Sequence, residues 1–225
     1  MRHIHIVGIG TGNPEHMTVQ AINALNSTDV IFIPSKGAAK AELADVRKDI
    51  CERYITNKAT RFIGYDVPSR RTADRSYVQG VDEWHEEISA IYERLFLEHL
   101  TEDESAAFLV WGDPGLYDST LRIIERVAAR SQVALDYSVI PGITSIQALT
   151  ASHRIPLNLV GKPVQITTGR RLAESFPGGI AGVRCVGAPP FPGGRLRCPR
   201  GAEAGRVAHQ PAVAVRVVEP GLPPL

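Results

Sequence analysis

Short apolar runs and helix-like apolar stripes alternate along the chain as far as residue 177. Residues 30–33 form a run typical of a buried strand, whereas Trp84, Ile88 and Leu95 lie at the three-four spacing of a helix. The same patterns predict helices over residues 43–50, 121–127 and 145–153, and strands over residues 106–111, 133–140 and 164–168. This alternation predicts an α/β fold in which much of the sheet is parallel.

Glycine-containing turns follow several of these predicted strands. They read VGIGTGNP over residues 7–14, WGDPGLYDST over 111–120, VIPGITS over 139–145 and QITTGRR over 165–171. The carboxyl ends of parallel strands meet at one edge of a sheet, and α/β proteins bind ligands in a cleft there. The four segments therefore predict the rim of a binding cleft.

The first of these turns only partly matches the glycine fingerprint of dinucleotide-binding enzymes. Gly8 and Gly10 fit its first and third places, but the sixth place is Asn13. The next helix is predicted to begin only after Thr18, too late for a phosphate to lie at its N-terminus. Pro34 stands where such enzymes carry a ribose-binding acid. A nicotinamide-dependent oxidoreductase is therefore disfavoured.

Bulk composition disfavours several kinds of partner and site. The 225 residues carry a formal net charge of +1, which indicates neither a nucleic acid nor an acidic membrane surface. No apolar run approaches the roughly 20 residues of a membrane span, and the first residues lack the apolar core of a secretory signal. The cysteines, Cys51, Cys185 and Cys198, are too widely spaced to suggest a zinc site. We expect a cytoplasmic protein with reduced thiols and no metal.

Composition changes abruptly in residues 178–225. This segment holds nine Gly and eight Pro, and its six basic residues are all Arg. The stretch GAPPFPGGRLRCPRGAEAGR, residues 187–206, follows neither the helix nor the strand period, which predicts no packed element. The segment is either a natural flexible tail for an anionic partner or the product of a GC-rich gene translated out of frame.

Together the turn segments resemble the tetrapyrrole methylase family. The opening VGIGTGNPEHMTVQAINALNSTDVIFIP is similar to its N-terminal motif, WGDPGLYDST to its Gly-Asp-Pro loop and VIPGITSIQALTASHRIPL to its Pro-Gly-Ile-Thr-Ser helix. KGAAKAELADVRKDICERYI, VDEWHEEISAIYERL, AFLVWGDPGLYDSTLRI and QITTGRRLAESFP resemble one member more than its paralogues. The resemblance ends near Pro177, where the composition changes, and we therefore favour the frameshift interpretation.

The resemblance implies two α/β domains with S-adenosylmethionine in the cleft between them. Residues 1–118 would form the first domain, residues 119–177 the start of an incomplete second domain, and residues 178–225 a frameshifted or disordered tail. The implied cofactor-binding residues are Thr11, Gly112, Asp113, Leu116, Thr144 and Ser145. The family also implies a tetrapyrrole substrate and a homodimer.

The implied reaction is methylation of precorrin-5 at C-1 with release of acetate, a step of aerobic cobalamin synthesis. Acetate release needs water to add to a carbonyl, which a general base and an oxyanion donor assist. Asp118, Tyr117 and His153 are the candidates by position, although His153 also fits a plain helix end. Arg170 and Arg171 are candidates for binding substrate carboxylates or form a solvated pair. A paralogous methylase and an inactive frameshifted product remain the alternatives.

Overall fold

A computed structural model of the chain describes residues 1–35, 41–69, 77–158, 160–161, 164–168, 183–186 and 213–217. The chain divides into two compact units, Met1–Gly142 and Ile143–Leu225. The elements of the first unit are β1 (Arg2–Gly8), a 3-10 helix (Pro14–His16), α1 (Val19–Asn26), β2 (Val30–Ser35), α2 (Ala41–Tyr54), β3 (Arg61–Asp66), α3 (Tyr77–His99), β4 (Ser105–Val110), α4 (Thr120–Ala129) and β5 (Leu135–Ile140).

The first unit is built on a five-stranded sheet in the order β3-β2-β4-β1-β5. Every neighbouring pair in it is parallel, and Ile4 of β1 lies opposite Ala106 of β4 and Tyr137 of β5. The predicted α/β fold with a parallel sheet is therefore confirmed. This strand order places the carboxyl ends of β4, β1 and β5 side by side. Three of the predicted turns therefore lie at the same edge of the sheet.

Side chains alternate between the two faces of the sheet and form a separate core on each face. On β2, Phe32 belongs to the core beneath α3 and α4, whereas its neighbour Ile31 belongs to the core beneath α1 and α2. Phe108 stacks on Tyr92, with ring centres 4.3 Å apart, and on Phe32, at 5.2 Å. The unit therefore has three layers, with helices covering both faces of the sheet.

Most local predictions agree with the elements of the first unit, and two elements of that unit were not predicted. Thr18 caps α1 as expected, because its hydroxyl accepts the Ala21 N–H over 3.1 Å. The 3-10 helix and strand β3 were missed. β3 is an edge strand whose Arg61, Phe62 and Gly64 are exposed, so its apolar signal is weak.

The second unit contains α5 (Ser145–Ser152), β6 (Val164–Thr168), β7 (Val183–Val186) and β8 (Val213–Val217). Its three strands form an antiparallel sheet in the order β6-β8-β7, and α5 lies beside β7 and β8. Residues 187–206, for which no packed element was predicted, lie outside the described residues.

The structure divides the chain into compact units at Gly142, and the domain boundaries at residues 118 and 177 stay predictions. The first unit continues to Gly142, because β5 pairs with β1 along its length. The second unit includes strands from residues 178–225, because β8 pairs with β6 and β7 pairs with β8. Sequence motifs mark the turns of this fold, whereas sheet pairing decides which unit each segment joins.

Two histidines of β1 share a serine of β5. Ser138 Oγ lies 2.7 Å from His5 Nδ1 and 3.2 Å from His3 Nε2. The two imidazole rings are 4.6 Å apart, and His3 Nδ1 lies 3.3 Å from Asp136 Oδ2. Burial, with a smaller contribution from the charge of His3, lowers the pKa of His5 below its ordinary value of 6.5. The cluster therefore favours a neutral His5.

We expect His5→Gln to make the stability of the protein less sensitive to acid. Because the pKa of His5 is lower in the folded than in the unfolded chain, the unfolded chain binds more protons below pH 6.5. Stability that is present above pH 6.5 is therefore lost as the pH falls through the folded pKa. Burial also lowers the pKa of His85, so the variant keeps part of this dependence. Urea unfolding at a series of pH values measures the free energy of unfolding of the unmodified protein and of His5→Gln. If this free energy falls equally steeply with pH in both proteins, the expectation is wrong.

Candidate active site

The ends of β1, β4 and β5 touch through three glycines. A Cβ atom on Gly8 would lie 2.6 Å from the nitrogen of Gly142 and 2.7 Å from the carbonyl oxygen of Gly112. A Cβ atom on Gly142 would overlap the same carbonyl oxygen of Gly112. The three strand ends therefore pack backbone against backbone, at distances that only glycine permits.

A pair of backbone hydrogen bonds joins the first glycine loop to the Gly-Asp-Pro loop. The N–H of Gly112 donates to the carbonyl of Gly10 over 2.7 Å, and the N–H of Gly10 donates to that of Gly112 over 3.3 Å. Both residues have positive φ, 74° for Gly10 and 65° for Gly112. Since residues with a side chain are strained there, both glycines are needed to form this junction.

Asp113 connects the Gly-Asp-Pro loop to the Pro-Gly turn after β5. Its Oδ1 accepts the N–H of Gly115 over 2.8 Å, and its Oδ2 accepts the N–H of Gly142 over 2.9 Å. Both carboxylate oxygens are thus engaged within the first unit. The contact between Asp113 and S-adenosylmethionine that was expected from the motif stays a prediction, whereas the role of its carboxylate in holding two loops is clear.

The neighbouring predicted residues lie in the same two loops. Thr11 is buried, and its hydroxyl lies 3.0 Å from Nδ1 of His16, the last residue of the 3-10 helix. Leu116 is partly buried and closes a turn by donating its N–H to the carbonyl of Asp113 over 3.1 Å. The structure therefore brings Thr11, Gly112, Asp113 and Leu116 to one edge of the sheet.

Tyr117 and Asp118 end the Gly-Asp-Pro loop, just before α4. Tyr117 is 41% exposed and has a positive φ of 55°, an uncommon conformation for a residue with a side chain. Such strain is typical of functional loops. Asp118 Oδ1 accepts the N–H of Thr120, the first residue of α4, over 2.6 Å.

The other predicted residues belong to the second unit or are not described. Thr144 and Ser145 are buried at the start of α5, where the N–H of Thr144 donates to the Gln147 side chain over 3.1 Å. His153 is exposed at the other end of α5, roughly 12 Å from Ser145 at about 1.5 Å per residue, so the two residues do not cluster. Arg170 and Arg171 lie outside the described residues.

Sequence reasoning missed a buried arginine at the carboxyl edge of the sheet. Arg47 of α2 is only 9% exposed, and its Nε donates to the carbonyl of Leu109 over 3.4 Å. Its guanidinium lies 4.8 Å from the ring centre of Trp111. The sequence did contain a signal for its burial. Arg47 follows Val46 and precedes Ile50 by three positions, which places it on the apolar face of the predicted helix.

Two tyrosines below this edge were also missed. The hydroxyls of Tyr65 on β3 and Tyr92 on α3 lie 3.2 Å apart, and their rings meet edge to face. Burial raises the pKa of Tyr65 to about 12 and that of Tyr92 well above its ordinary value. Both hydroxyls therefore stay protonated at neutral pH. Nothing in the sequence pattern distinguishes them from ordinary core tyrosines.

A cavity of about 580 Å³ lies between α2 and the edge strand β3. Ile33, Cys51 and Phe62 are among its lining residues, and none of the predicted site residues lines it. In the part of the chain that the structure describes, no group of three His, Cys, Asp or Glu side chains is arranged to hold a metal ion. No helix in the described ranges combines the length and apolarity needed to cross a membrane.

Comparison with known proteins identifies the class. Residues 3–180 match the family model of tetrapyrrole (corrin/porphyrin) methylases. The precorrin-6A synthase (deacetylating) of a Sinorhizobium species is 68% identical over 177 residues, which cover 79% of this chain and 68% of that protein. The precorrin-2 C(20)-methyltransferase of a Sinorhizobium species is 30% identical over 182 residues, which cover 75% of this chain and 68% of that protein.

A solved structure has the same fold. The cobalamin synthesis related protein CobF from Corynebacterium diphtheriae is 38% identical, with a TM-score of 0.63, and the match covers 77% of this chain and 67% of that one. The chain therefore belongs to the tetrapyrrole methylase family. Within that family its identity to the Sinorhizobium precorrin-6A synthase is more than twice its identity to the precorrin-2 C(20)-methyltransferase.

We expect Gly142→Ala to destabilise the protein by about 2 kcal/mol or more, because the added methyl group overlaps the carbonyl of Gly112. Gly64→Ala is the matched control, since its Cβ would lie 3.8 Å from Ser35 Oγ, an ordinary contact. The control should be neutral or stabilising by up to about 1 kcal/mol. Urea unfolding of the two variants measures both effects, and equal stabilities would show that the glycine contact is not required.

We expect Asp113→Asn to lower the free energy of unfolding by about 1–3 kcal/mol. An asparagine can accept only one of the two N–H groups, from Gly115 and Gly142, that the carboxylate accepts. Asp136→Asn is the control, because the side chain of Asp136 is 59% exposed and it should change stability by less than about 0.5 kcal/mol. A loss no greater for Asp113→Asn than for the control would refute the loop-holding role.

Proposed function

We propose that this chain methylates precorrin-5 at C-1 and releases acetate, the reaction of a deacetylating precorrin-6A synthase. The observation that carries the proposal is the 68% identity over 177 residues to the Sinorhizobium enzyme of that name. The joined glycine loops support it, because they lie at the edge where parallel sheets bind ligands. A tetrapyrrole substrate agrees with the family.

The loops fit S-adenosylmethionine as the methyl donor. Gly10 and Gly12 have φ values of 74° and 105°, and the loop next to Gly112 therefore carries no Cβ atom at these two positions. The donor contains adenosine and methionine but no pyrophosphate, and Asn13 in place of a fingerprint glycine is therefore no obstacle. Thr11, Gly112, Asp113 and Leu116 are the proposed contacts from the first unit, and Thr144 and Ser145 those from the second.

Methyl transfer requires alignment more than it requires a chemically active side chain. A bound donor would supply an electrophilic methyl group, to which the substrate carbon bonds in line as the bond from methyl to sulfur breaks and S-adenosylhomocysteine leaves. Holding two reactants in the correct orientation can lower the activation barrier by about 7–11 kcal/mol. Displacing one reactant by about 1 Å can lower the rate roughly a hundredfold. The bonds from Asp113 to Gly115 and Gly142 keep two loops at a fixed separation. This rigidity is the contribution that the chain makes to the first chemical step.

Acetate release requires a base, and Asp118 is the proposed one. The oxygen of water bonds to the acetyl carbonyl carbon, and the bond from that carbon to the macrocycle breaks. The electron pair of the broken bond moves to the macrocycle and neutralises the positive charge that methylation introduced. A base accepts a proton from the water. Asp118 has one oxygen fixed by the N–H of Thr120, which leaves the other to accept that proton. Tyr117 and His153 remain proposed assistants.

Other expectations stay predictions. The paralogous alternative is another tetrapyrrole methylase that uses S-adenosylmethionine, such as one that acts on a different precorrin. The other alternative is an inactive product of a frameshift after residue 177, and the family match ends at residue 180. A homodimer and a cytoplasmic location are also predictions.

We expect the purified full-length chain to convert precorrin-5 and S-adenosylmethionine into S-adenosylhomocysteine and acetate in equal amounts. Asp118→Asn should slow acetate formation by about a hundredfold or more, as expected for loss of a general base, and slow methyl transfer much less. Asp103→Asn is the control, because the side chain of Asp103 is 99% exposed. Quenched time courses of both products measure the rates. S-Adenosylhomocysteine without acetate from the unmodified chain would favour a paralogous methylase, and neither product would contradict the proposal.

A further inference from the structure

His16 ends the 3-10 helix that follows the first glycine loop, and it packs directly against that loop. A Cβ atom on Gly10 would lie 2.7 Å from the Cβ of His16 and 3.3 Å from its carbonyl oxygen, so no side chain fits between them. Gly10 in turn exchanges two backbone hydrogen bonds with Gly112. His16 therefore lies beside the junction of the two loops.

Three hydrogen bonds hold the 3-10 helix in place. The N–H of His16 donates to the carbonyl of Asn13 over 2.9 Å, and Asn13 Oδ1 accepts the N–H of Glu15 over 3.0 Å. The hydroxyl of Tyr54, at the end of α2, donates to the carbonyl of Pro14 over 2.9 Å. The backbone that carries His16 is therefore fixed both within the turn and from α2.

Thr11 orients the imidazole ring of His16. Thr11 Oγ1 lies 3.0 Å from Nδ1 of His16, and Thr11 is only 6% exposed. A buried hydroxyl hydrogen needs an acceptor, and Nδ1 of His16 is the partner that the described part of the chain offers it. The hydroxyl therefore donates to Nδ1, and the neutral imidazole carries its hydrogen on Nε2.

The Nε2–H group of His16 is a hydrogen-bond donor beside the joined loops. His16 is partly exposed, and its Nε2 has no hydrogen-bond partner within the described ranges. A ligand held at the junction of Gly10 and Gly112 meets this donor, which suits an oxygen atom. The S-adenosyl ligand has such oxygens in its ribose and in the carboxylate of its amino acid part.

We infer that His16 binds the S-adenosyl ligand by donating a hydrogen bond from Nε2 to a ligand oxygen. Thr11 acts through His16, because its hydroxyl fixes the ring and the nitrogen that carries the hydrogen. The inference rests on the proposed function, which places the methyl donor at the joined loops. It gives the hydroxyl of Thr11 a positioning role.

Substitutions of His16 separate its two ring nitrogens. In His16→Asn the short amide reaches the position of Nδ1 and lacks the donor at Nε2, whereas the longer amide of His16→Gln reaches the position of Nε2. Calorimetric titration of S-adenosylhomocysteine should show an affinity lower by about threefold to a hundredfold in His16→Asn, the range for a bond to a neutral or a charged oxygen. The loss should be smaller in His16→Gln. A smaller folded fraction lowers the apparent number of sites and leaves the affinity unchanged.

Thr11 and a distant histidine provide matched variants. Thr11→Val removes the hydroxyl and should weaken binding, whereas Thr11→Ser keeps it and should restore binding. His99→Asn makes the same chemical change as His16→Asn at the end of α3, just before β4 begins, which is the opposite edge of the sheet. It should leave the affinity unchanged.

Nitrogen NMR of the isotopically labelled chain gives a second readout. At a pH that keeps the imidazole neutral, His16 should carry its hydrogen on Nε2, and S-adenosylhomocysteine should shift the Nε2 signal. Methylthioadenosine keeps the ribose and lacks the amino acid part. Weaker binding of S-adenosylhomocysteine alone in His16→Asn identifies the carboxylate as the acceptor, and weaker binding of both ligands identifies the ribose.

The outcomes separate the inference from the proposed function. Lower affinity in His16→Asn and Thr11→Val, with affinity kept in Thr11→Ser and His99→Asn, supports the inference. If the unmodified chain forms S-adenosylhomocysteine and acetate while His16→Asn binds the ligand equally well, the role of His16 is wrong and the proposed function stands. An equal loss in His99→Asn, or a hydrogen on Nδ1 of His16, would also overturn it. Failure of the unmodified chain to bind S-adenosylhomocysteine overturns both.

Discussion

The carboxyl edge of the first sheet depends on backbone contact between Gly8, Gly112 and Gly142. No side chain fits between these three strand ends, so the loops that follow β1, β4 and β5 must leave the sheet from adjacent positions. The hydrogen bonds between Gly10 and Gly112 extend this contact into the loops themselves. Backbone therefore lies directly against backbone at this edge, a close approach that glycine permits.

The polar side chains at this edge fix the conformation of each loop, and Asp113 also joins one loop to another through Gly142. Asp113 accepts two backbone N–H groups, Thr11 pairs with His16, and Asp118 accepts from Thr120. Each bond to a carboxylate is worth about 1.5–3 kcal/mol, so the loops are fixed before any ligand binds. Fixed loops fit a methyl transfer that depends on alignment, and a fixed carboxylate fits the later attack of water.

The sequence predicted the part of the fold that local signals specify. Periodicity located most helices and strands, and the glycine turns located the edge of the sheet where Thr11, Gly112 and Asp113 meet. The sequence did not indicate that β5 pairs with β1, because strand pairing is a long-range property. Arg47 and Tyr92 were missed for a similar reason, since their partners, Leu109 and Tyr65, come from other elements. The motifs also suggested ligand contacts for Asp113, whose oxygens already accept bonds from the protein.

Calorimetric titration of S-adenosylhomocysteine into the full-length chain tests the central claim most directly. The account predicts saturable binding at one site, and its loss in Gly112→Ala, because that residue has a φ of 65° and joins two loops. Gly64→Ala, whose added methyl group makes only an ordinary contact, should bind as the unmodified chain does. If a chain with a cooperative unfolding transition gives no heat of binding, or if Gly112→Ala binds equally well, the joined glycine loops are not the cofactor site.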